Sequence, residues 1–148
     1  MALPEMEEAA RHEDCSPELH RSVTMRLFEL GGLDRELAEA LYRLDLDAAS
    51  HPLYPDTPQT LAAIRALGVK IALVSNIHYD LRADVTKYRL AQLIDAYVLS
   101  FERGFQKPDP RMFELALDAL GAEPSDALMV GATGRPTTAG QLRLALPH

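Results

Sequence analysis

The feature that most constrains this chain is the apolar run Val69-Lys70-Ile71-Ala72-Leu73-Val74, which is rich in β-branched residues. Such runs are typical of strands that are covered on both faces. A helical pattern precedes the run, opening at Thr57-Pro58 and closing at Gly68. After the run, the pattern predicts a helix over 79–89, a strand over 96–100, a helix over 110–120 and a strand over 127–130. This alternation predicts an α/β fold with a Rossmann-like parallel sheet and crossover helices.

Residues 16–50 carry a different pattern, which is purely helical. Ser16 can cap a helix that starts at Pro17 and stops at Gly31-Gly32, and a second helix would start at Asp34. We therefore expect a small hairpin of two helices. The predicted organisation is an acidic N-terminal segment (1–15), the hairpin (16–50), an α/β core (51–131) and an atypical tail (132–148).

The charge balance excludes some classes of partner. Acidic residues outnumber basic ones by 22 to 15, which leaves a formal charge of −7. Nucleic acids and anionic membranes bind concentrated basic faces, so we expect no nucleic acid and no membrane as partners. No stretch approaches the roughly 18 apolar residues of a membrane span, and the first residues are acidic where a secretory signal is basic. With its single cysteine, Cys15, the chain is predicted to be cytoplasmic.

Polar residues follow the first two predicted strands, at the edge where ligands of open parallel sheets bind. Ser75-Asn76 offers a hydroxyl and a backbone N–H that together can hold an anionic oxygen, although helix capping by Ser75 is an equal alternative. Pro108 restricts Lys107 to extended backbone at the rim of the sheet; a solvated surface lysine is the alternative. The third strand leads to Ala132, where a metal-binding carboxylate would be expected, so we assign no metal ligand.

Three ordered motifs carry a resemblance to a known family. Lys107-Pro108-Asp109-Pro110, with Phe113 one turn later, is preceded by Ile71-Ala72-Leu73-Val74-Ser75-Asn76 and followed by Leu128-Met129-Val130-Gly131. The set resembles the haloacid dehalogenase (HAD)-like hydrolase superfamily, in the subgroup with a small helical cap inserted after the first strand. The resemblance implies attack on a phosphoryl group by an aspartate, with a second aspartate as acid and base and with Mg²⁺ as cofactor.

The same resemblance implies roles for particular residues. Ser75 and the backbone N–H of Asn76 would bind phosphoryl oxygens. Lys107 would be the catalytic residue that neutralises charge on the nucleophile and the phosphoryl group. Residues 16–50 look like the cap, which would select the substrate.

Two parts of the family pattern are not found. No apolar strand ending in Asp-x-Asp-x-Thr precedes the cap, and Asp45-Leu46-Asp47 has the spacing but ends a helical pattern, so we interpret it as two solvated carboxylates. We expect a chain truncated at its N-terminus, which lacks the family's central first strand and binds Mg²⁺ weakly. Such a chain would be marginally stable, or would self-associate at the unfilled sheet position by aggregating or by borrowing a strand from another molecule. Residues 132–148 contain no acidic residue. A neighbouring frame of GC-rich codons for 132–141 would restore an acidic metal motif, so we expect a frameshift there.

The leading hypothesis is a HAD-like, Mg²⁺-dependent phosphatase of a small phosphorylated metabolite, represented by an incomplete and inactive chain. The alternative is a catalytically dead module that binds phosphate or a partner through Ser75, Lys107 and the cap helices. A receiver-like or nucleotide-binding domain is disfavoured because no Gly-rich phosphate loop is present. His78 is expected at the surface, and His20 has no metal-ligand spacing.

Overall fold

The computed structural model describes residues 3–47 and 52–131, and the predictions for residues 132–148 lie outside this range. Within it, the α-helices are α1 (Leu3–Ala10), α2 (Pro17–Leu30), α3 (Arg35–Asp45), α4 (Thr57–Ala66), α5 (Arg82–Lys87), α6 (Ser100–Arg103) and α7 (Arg111–Leu120). The strands are β1 (Ala72–Ser75) and β2 (Ala96–Leu99), and 3-10 helices cover Glu13–Cys15, Ala91–Leu93 and Pro124–Asp126. None of the helices described is both long enough and apolar enough to cross a membrane.

Both helices predicted for the hairpin form, and each begins at the predicted cap. The Ser16 hydroxyl accepts a hydrogen bond from the Leu19 backbone N–H at 3.2 Å at the start of α2. The Asp34 carboxylate accepts one from the Leu37 N–H at 3.0 Å at the start of α3. These side chains satisfy backbone N–H groups that have no partner inside the helix.

The two strands form a parallel sheet with helices on both faces. The register runs from Ala72 opposite Ala96 to Ser75 opposite Leu99. Because successive side chains of a strand point to opposite faces, Leu99 packs in the apolar cluster that includes α5, and Val98 packs in the cluster that includes α7. Both side chains are almost completely buried. The predicted α/β fold with a parallel sheet is confirmed.

The boundaries of the first half of the core differ from the prediction. The first strand begins at Ala72 rather than Val69, because its partner begins only at Ala96 and the Asp95 carboxylate accepts the N–H of Ile71 at 2.8 Å. The second strand ends at residue 99 and Ser100 starts α6 instead. The helix predicted over 79–89 is shortened to α5.

The strand predicted over 127–130 does not form. Leu128 and Val130 are 86% and 78% exposed, and the sheet of the described residues consists of β1 and β2. A strand needs a neighbour to pair its backbone N–H and C=O groups, and the described sheet offers none to this segment. The strand prediction for 127–130 is therefore wrong for the described part of the chain, which offers this segment no strand to pair with.

The N-terminal segment packs onto the loops that follow both strands. The hydroxyl of Ser100, which has no exposed surface, accepts a hydrogen bond from the Ile77 N–H at 2.8 Å and donates one to the Asp14 carbonyl oxygen at 2.6 Å. The Cys15 thiol donates to the side-chain oxygen of Gln106 at 3.5 Å. These contacts bring the segment beside the edge of the sheet that carries the predicted site.

Candidate phosphate-binding site

The side chain of Asn76 joins the loops that follow β1 and β2. Its NH₂ group donates to the carbonyl oxygen of Lys107 at 3.0 Å, and its oxygen accepts the Lys107 backbone N–H at 2.7 Å. These two hydrogen bonds use the NH₂ group and the oxygen of the Asn76 side chain, and both the N–H and the C=O of the Lys107 backbone. They therefore set the position of the Lys107 backbone. The sequence indicated only the backbone N–H of Asn76 as functional and did not predict this role of its side chain.

Lys107 directs its ammonium group towards the end of β1. The Nζ atom donates to the Val74 carbonyl oxygen at 3.0 Å, and the residue is half-buried. Burial lowers the pKa of Lys107 from its ordinary value of 10.5, because the charged form is less well solvated there. Among the described residues, no carboxylate contributes to this pKa shift. The alternative of a solvated surface lysine is therefore wrong, and the ammonium has a neutral partner that an anion could replace.

Ser75 is the last residue of β1 and precedes Asn76 in the sequence. The two hydrogen bonds between the Asn76 side chain and the Lys107 backbone are called the clamp below. Its hydroxyl makes a long contact of 3.4 Å with the carbonyl oxygen of Asn76. The next helix begins only at Arg82, and its N-cap is Leu81. The helix-capping alternative for Ser75 is therefore wrong. The structure brings Ser75, Asn76 and Lys107 together at the carboxyl end of β1, while their roles in binding and catalysis stay predictions.

The turn after Lys107 is anchored by Arg111 in the first turn of α7. The Asp109 carboxylate accepts the Arg111 backbone N–H at 3.0 Å and pairs with its guanidinium at 2.6 Å. The guanidinium lies 4.0 Å from the centroid of the Phe105 ring. Hydrogen bonding to the Arg111 side chain lowers the pKa of Asp109. This carboxylate is thus engaged in holding the loop, and the adjoining Lys107–Pro108 peptide bond is cis.

The donors near Lys107 do not fit Mg²⁺. This ion prefers six oxygen ligands in an octahedron and is usually held through one or two carboxylates. The oxygens that the described residues place at this edge include the Ser75 hydroxyl and the backbone carbonyls of Val74, Asn76 and Lys107, beside an ammonium group. The carboxylate of the same loop, Asp109, is paired with Arg111. The chemistry of these donors favours an anion over a divalent cation, and weak binding of Mg²⁺ stays a prediction.

His78 belongs to a second polar cluster, which the sequence did not predict. It is 6% exposed rather than at the surface, because the ring of His20 stacks on it with centroids 3.3 Å apart. The carboxylates of Asp14 and Asp45 each lie 3.6 Å from one of its ring nitrogens, so Asp45 is not a fully solvated group. Burial and then the neighbouring His78 lower the pKa of His20. No sequence spacing signals this cluster, because Asp14 and His20 meet Asp45 and His78 only through the fold.

Comparison with known proteins settles the family. The family model for haloacid dehalogenase-like hydrolases matches residues 11–135 of the chain. The chain belongs to this hydrolase family. The match includes α2, α3, both strands and the three candidate residues Ser75, Asn76 and Lys107, and it confirms the resemblance drawn from the motifs.

Relatives of this HAD-like chain include phosphatases and a dehalogenase. A phosphoserine phosphatase from Thermus thermophilus is 41% identical over 109 residues, which cover 71% of this chain and 43% of that protein. (S)-2-haloacid dehalogenase 1 from a Pseudomonas species is 31% identical over 105 residues, with 70% and 43% covered. The crystal structure of a HAD phosphatase from Thermococcus onnurineus matches with a TM-score of 0.53 and 30% identity, with 72% and 48% covered. The HAD-like chain thus spans less than half the length of these proteins.

Proposed function

We propose that this chain carries the phosphate-binding edge of a HAD-like phosphatase that acts on a small phosphorylated metabolite. The Ser75 hydroxyl and the Asn76 backbone N–H would bind phosphoryl oxygens, and the Lys107 ammonium would balance their charge. The observation that supports this most is the clamp between Asn76 and Lys107, with hydrogen bonds of 3.0 Å and 2.7 Å. It holds the backbone of Lys107, from which the ammonium group reaches the Val74 carbonyl oxygen at the end of β1.

The physical reason lies in the environment of Lys107. A half-buried ammonium with a neutral partner attracts an anion more strongly than a solvated one, since less water screens the pair. Hydrogen bonds between charged groups are also shorter and stronger than neutral ones. A bound phosphate would therefore favour the charged form of Lys107 and oppose the effect of burial on its pKa. During phosphoryl transfer, the same ammonium would stabilise negative charge on the phosphoryl group.

Phosphatase activity is proposed over dehalogenation because of the comparisons. The relative with 41% identity and the matching crystal structure are both phosphatases by name. The substrate is proposed as a small phosphorylated metabolite. The free thiol of Cys15 supports a reducing compartment, and we place the protein in the cytoplasm.

A second candidate function is phosphate binding without turnover. The family chemistry needs an attacking aspartate at the end of a strand. Asp45, which has the matching Asp-x-Asp spacing, ends helix α3 and lies 3.6 Å from His78. Among the described residues, no carboxylate is ion-paired with Lys107. This placement favours a chain that binds phosphate and does not hydrolyse phosphate esters.

Two measurements on the full chain test these proposals. Calorimetry measures the affinity for inorganic phosphate, and release of nitrophenol from p-nitrophenyl phosphate measures turnover. Lys107→Ala should weaken phosphate binding at least about tenfold, since a hydrogen bond to a charged group contributes about 1.5–3 kcal/mol. Lys87→Ala is the matched control, because Lys87 is an exposed lysine at the end of α5.

The outcomes separate the two functions. Turnover that Lys107→Ala abolishes and Lys87→Ala preserves would establish the enzyme and disprove the binding module. Phosphate binding without turnover, again lost in Lys107→Ala, would support the module. Equal phosphate affinity in the two lysine variants would refute the site itself.

A further inference from the structure

Three metal-ligating side chains meet away from Lys107, where the N-terminal segment, α2 and the loop after β1 come together. Asp14, His20 and His78 each offer one ligand atom, and these atoms all lie within 4.8 Å of one another. His78 is 6% exposed and the other two residues are half-buried. The proposed phosphate site uses none of the three.

Both ring nitrogens of His78 face a carboxylate at a distance too long for a hydrogen bond. Nδ1 lies 3.6 Å from an oxygen of Asp14, and Nε2 lies 3.6 Å from an oxygen of Asp45. Nε2 is buried and has no hydrogen-bond partner among the described residues. A metal-bound histidine typically donates its other ring N–H to a carboxylate. In this arrangement, Nδ1 of His78 would bind the ion beside the Asp14 carboxylate, and a small shift of the ring would let the Nε2–H donate to the Asp45 carboxylate.

His20 supplies the second imidazole from the helical hairpin. Its ring lies parallel to that of His78, with an interplanar angle of 4°, and its Nδ1 is 3.4 Å from the Tyr42 hydroxyl. An ion bound at about 2.0–2.2 Å separates tetrahedral ligand atoms by roughly 3.3 Å. The ligand atoms already lie within 4.8 Å of one another, but the in-plane lone pairs of two parallel rings do not converge on one ion. Binding therefore requires the two stacked rings to turn apart, which rotation about the broad terminal side-chain torsion of histidine provides.

The donor set selects the class of ion. Two imidazoles and one carboxylate suit Zn²⁺ and neighbouring transition metals, whereas Mg²⁺ prefers oxygen ligands alone. We propose that Asp14, His20 and His78 bind one divalent transition-metal ion of the Zn²⁺ type. The ion joins the helical hairpin to the loop that begins at Asn76, and it leaves one position of a tetrahedron for water.

Zinc titration of the full chain by calorimetry tests this site. One ion per chain is the expected stoichiometry. Asp14→Asn and His20→Ala should each weaken zinc binding more than tenfold, because each removes a ligand. Asp14→Asn retains the backbone carbonyl that bonds Ser100, so the fold should survive. His12→Ala is the matched control, since His12 has a 59% exposed side chain and is not in the cluster.

Further readouts distinguish this site from the phosphate site. At the same zinc concentration, zinc should raise the thermal midpoint of the wild-type chain more than that of His20→Ala. Lys107→Ala should retain wild-type zinc affinity whatever its phosphate affinity. Absence of zinc binding, equal affinity in His20→Ala, or displacement of zinc by excess Mg²⁺ would each overturn the proposal.

Discussion

Replacing Asn76 by alanine tests whether its side chain holds Lys107 in place. The substitution removes the 3.0 Å bond to the Lys107 carbonyl oxygen and the 2.7 Å bond from the Lys107 N–H. A typical intramolecular hydrogen bond contributes about 0.5–1.5 kcal/mol, so the free energy of unfolding should fall by about 2 kcal/mol. Lys107 is half-buried, so water reaches its backbone groups in part and the loss stays near this value.

Urea denaturation followed by circular dichroism measures this change. Gln92→Ala is the control, because Gln92 has an exposed side-chain amide that donates to the Arg89 carbonyl oxygen at 2.6 Å. Gln92→Ala should change the free energy of unfolding by no more than about 0.5 kcal/mol, as most surface substitutions do. Asn76→Asp keeps an acceptor for the Lys107 N–H but faces the Lys107 carbonyl oxygen with a carboxylate oxygen, which cannot donate, so it should also lower the free energy of unfolding. If Asn76→Ala costs no more stability than Gln92→Ala, the clamp does not hold Lys107 and the reasoning fails.

Three further predictions concern other contacts. Ser100→Ala removes a fully buried hydroxyl and should lower the free energy of unfolding by about 1–3 kcal/mol; thermal denaturation that shows no difference from the exposed Ser125→Ala would contradict this. The hydrogen bond from the Ile71 N–H is the main cause of the lowered pKa of Asp95. The ionised carboxylate therefore stabilises the fold above the unfolded-state pKa of about 3.9, and this stabilisation is lost as the pH falls through the lower folded-state pKa. Asp95→Asn should flatten the loss of stability in that acidic range, and an unchanged pH profile would count against the contact. The exposed apolar segment at Val130 should cause self-association that Val130→Lys reduces, and a monomer at every concentration in sedimentation velocity would disprove it.

Local patterns predicted the elements that depend on local forces. Ser16 and Asp34 cap their helices as predicted, because an N-cap needs only a short polar side chain and the N–H groups that follow it. The run that contains Ala72–Ser75 became a strand because its apolar side chains suit a sheet covered on both faces. The segment 127–130 has a similar pattern and is not a strand, since pairing depends on a neighbouring strand and not on the segment itself.

For the candidate site, the sequence predicted which two loops meet but not the contacts between their side chains. Parallel strands end at the same edge of a sheet, so Ser75-Asn76 and the loop with Lys107 were expected to meet, and they do. The direction of the Asn76 side chain and the burial of the Lys107 ammonium were not predictable. Both depend on the exact distance between two loops that are about thirty residues apart in sequence.

The sequence by itself determined where α2 and α3 begin, that the run ending at Ser75 enters the sheet, and that two polar segments reach one edge. Only the tertiary structure decided that His78 is buried against His20 and Asp14, and that the Asn76 side chain forms hydrogen bonds with the backbone of Lys107. The difference has a physical cause. Caps and periodicity act within a few residues of the chain, whereas burial and ligand geometry depend on groups that only folding brings into contact.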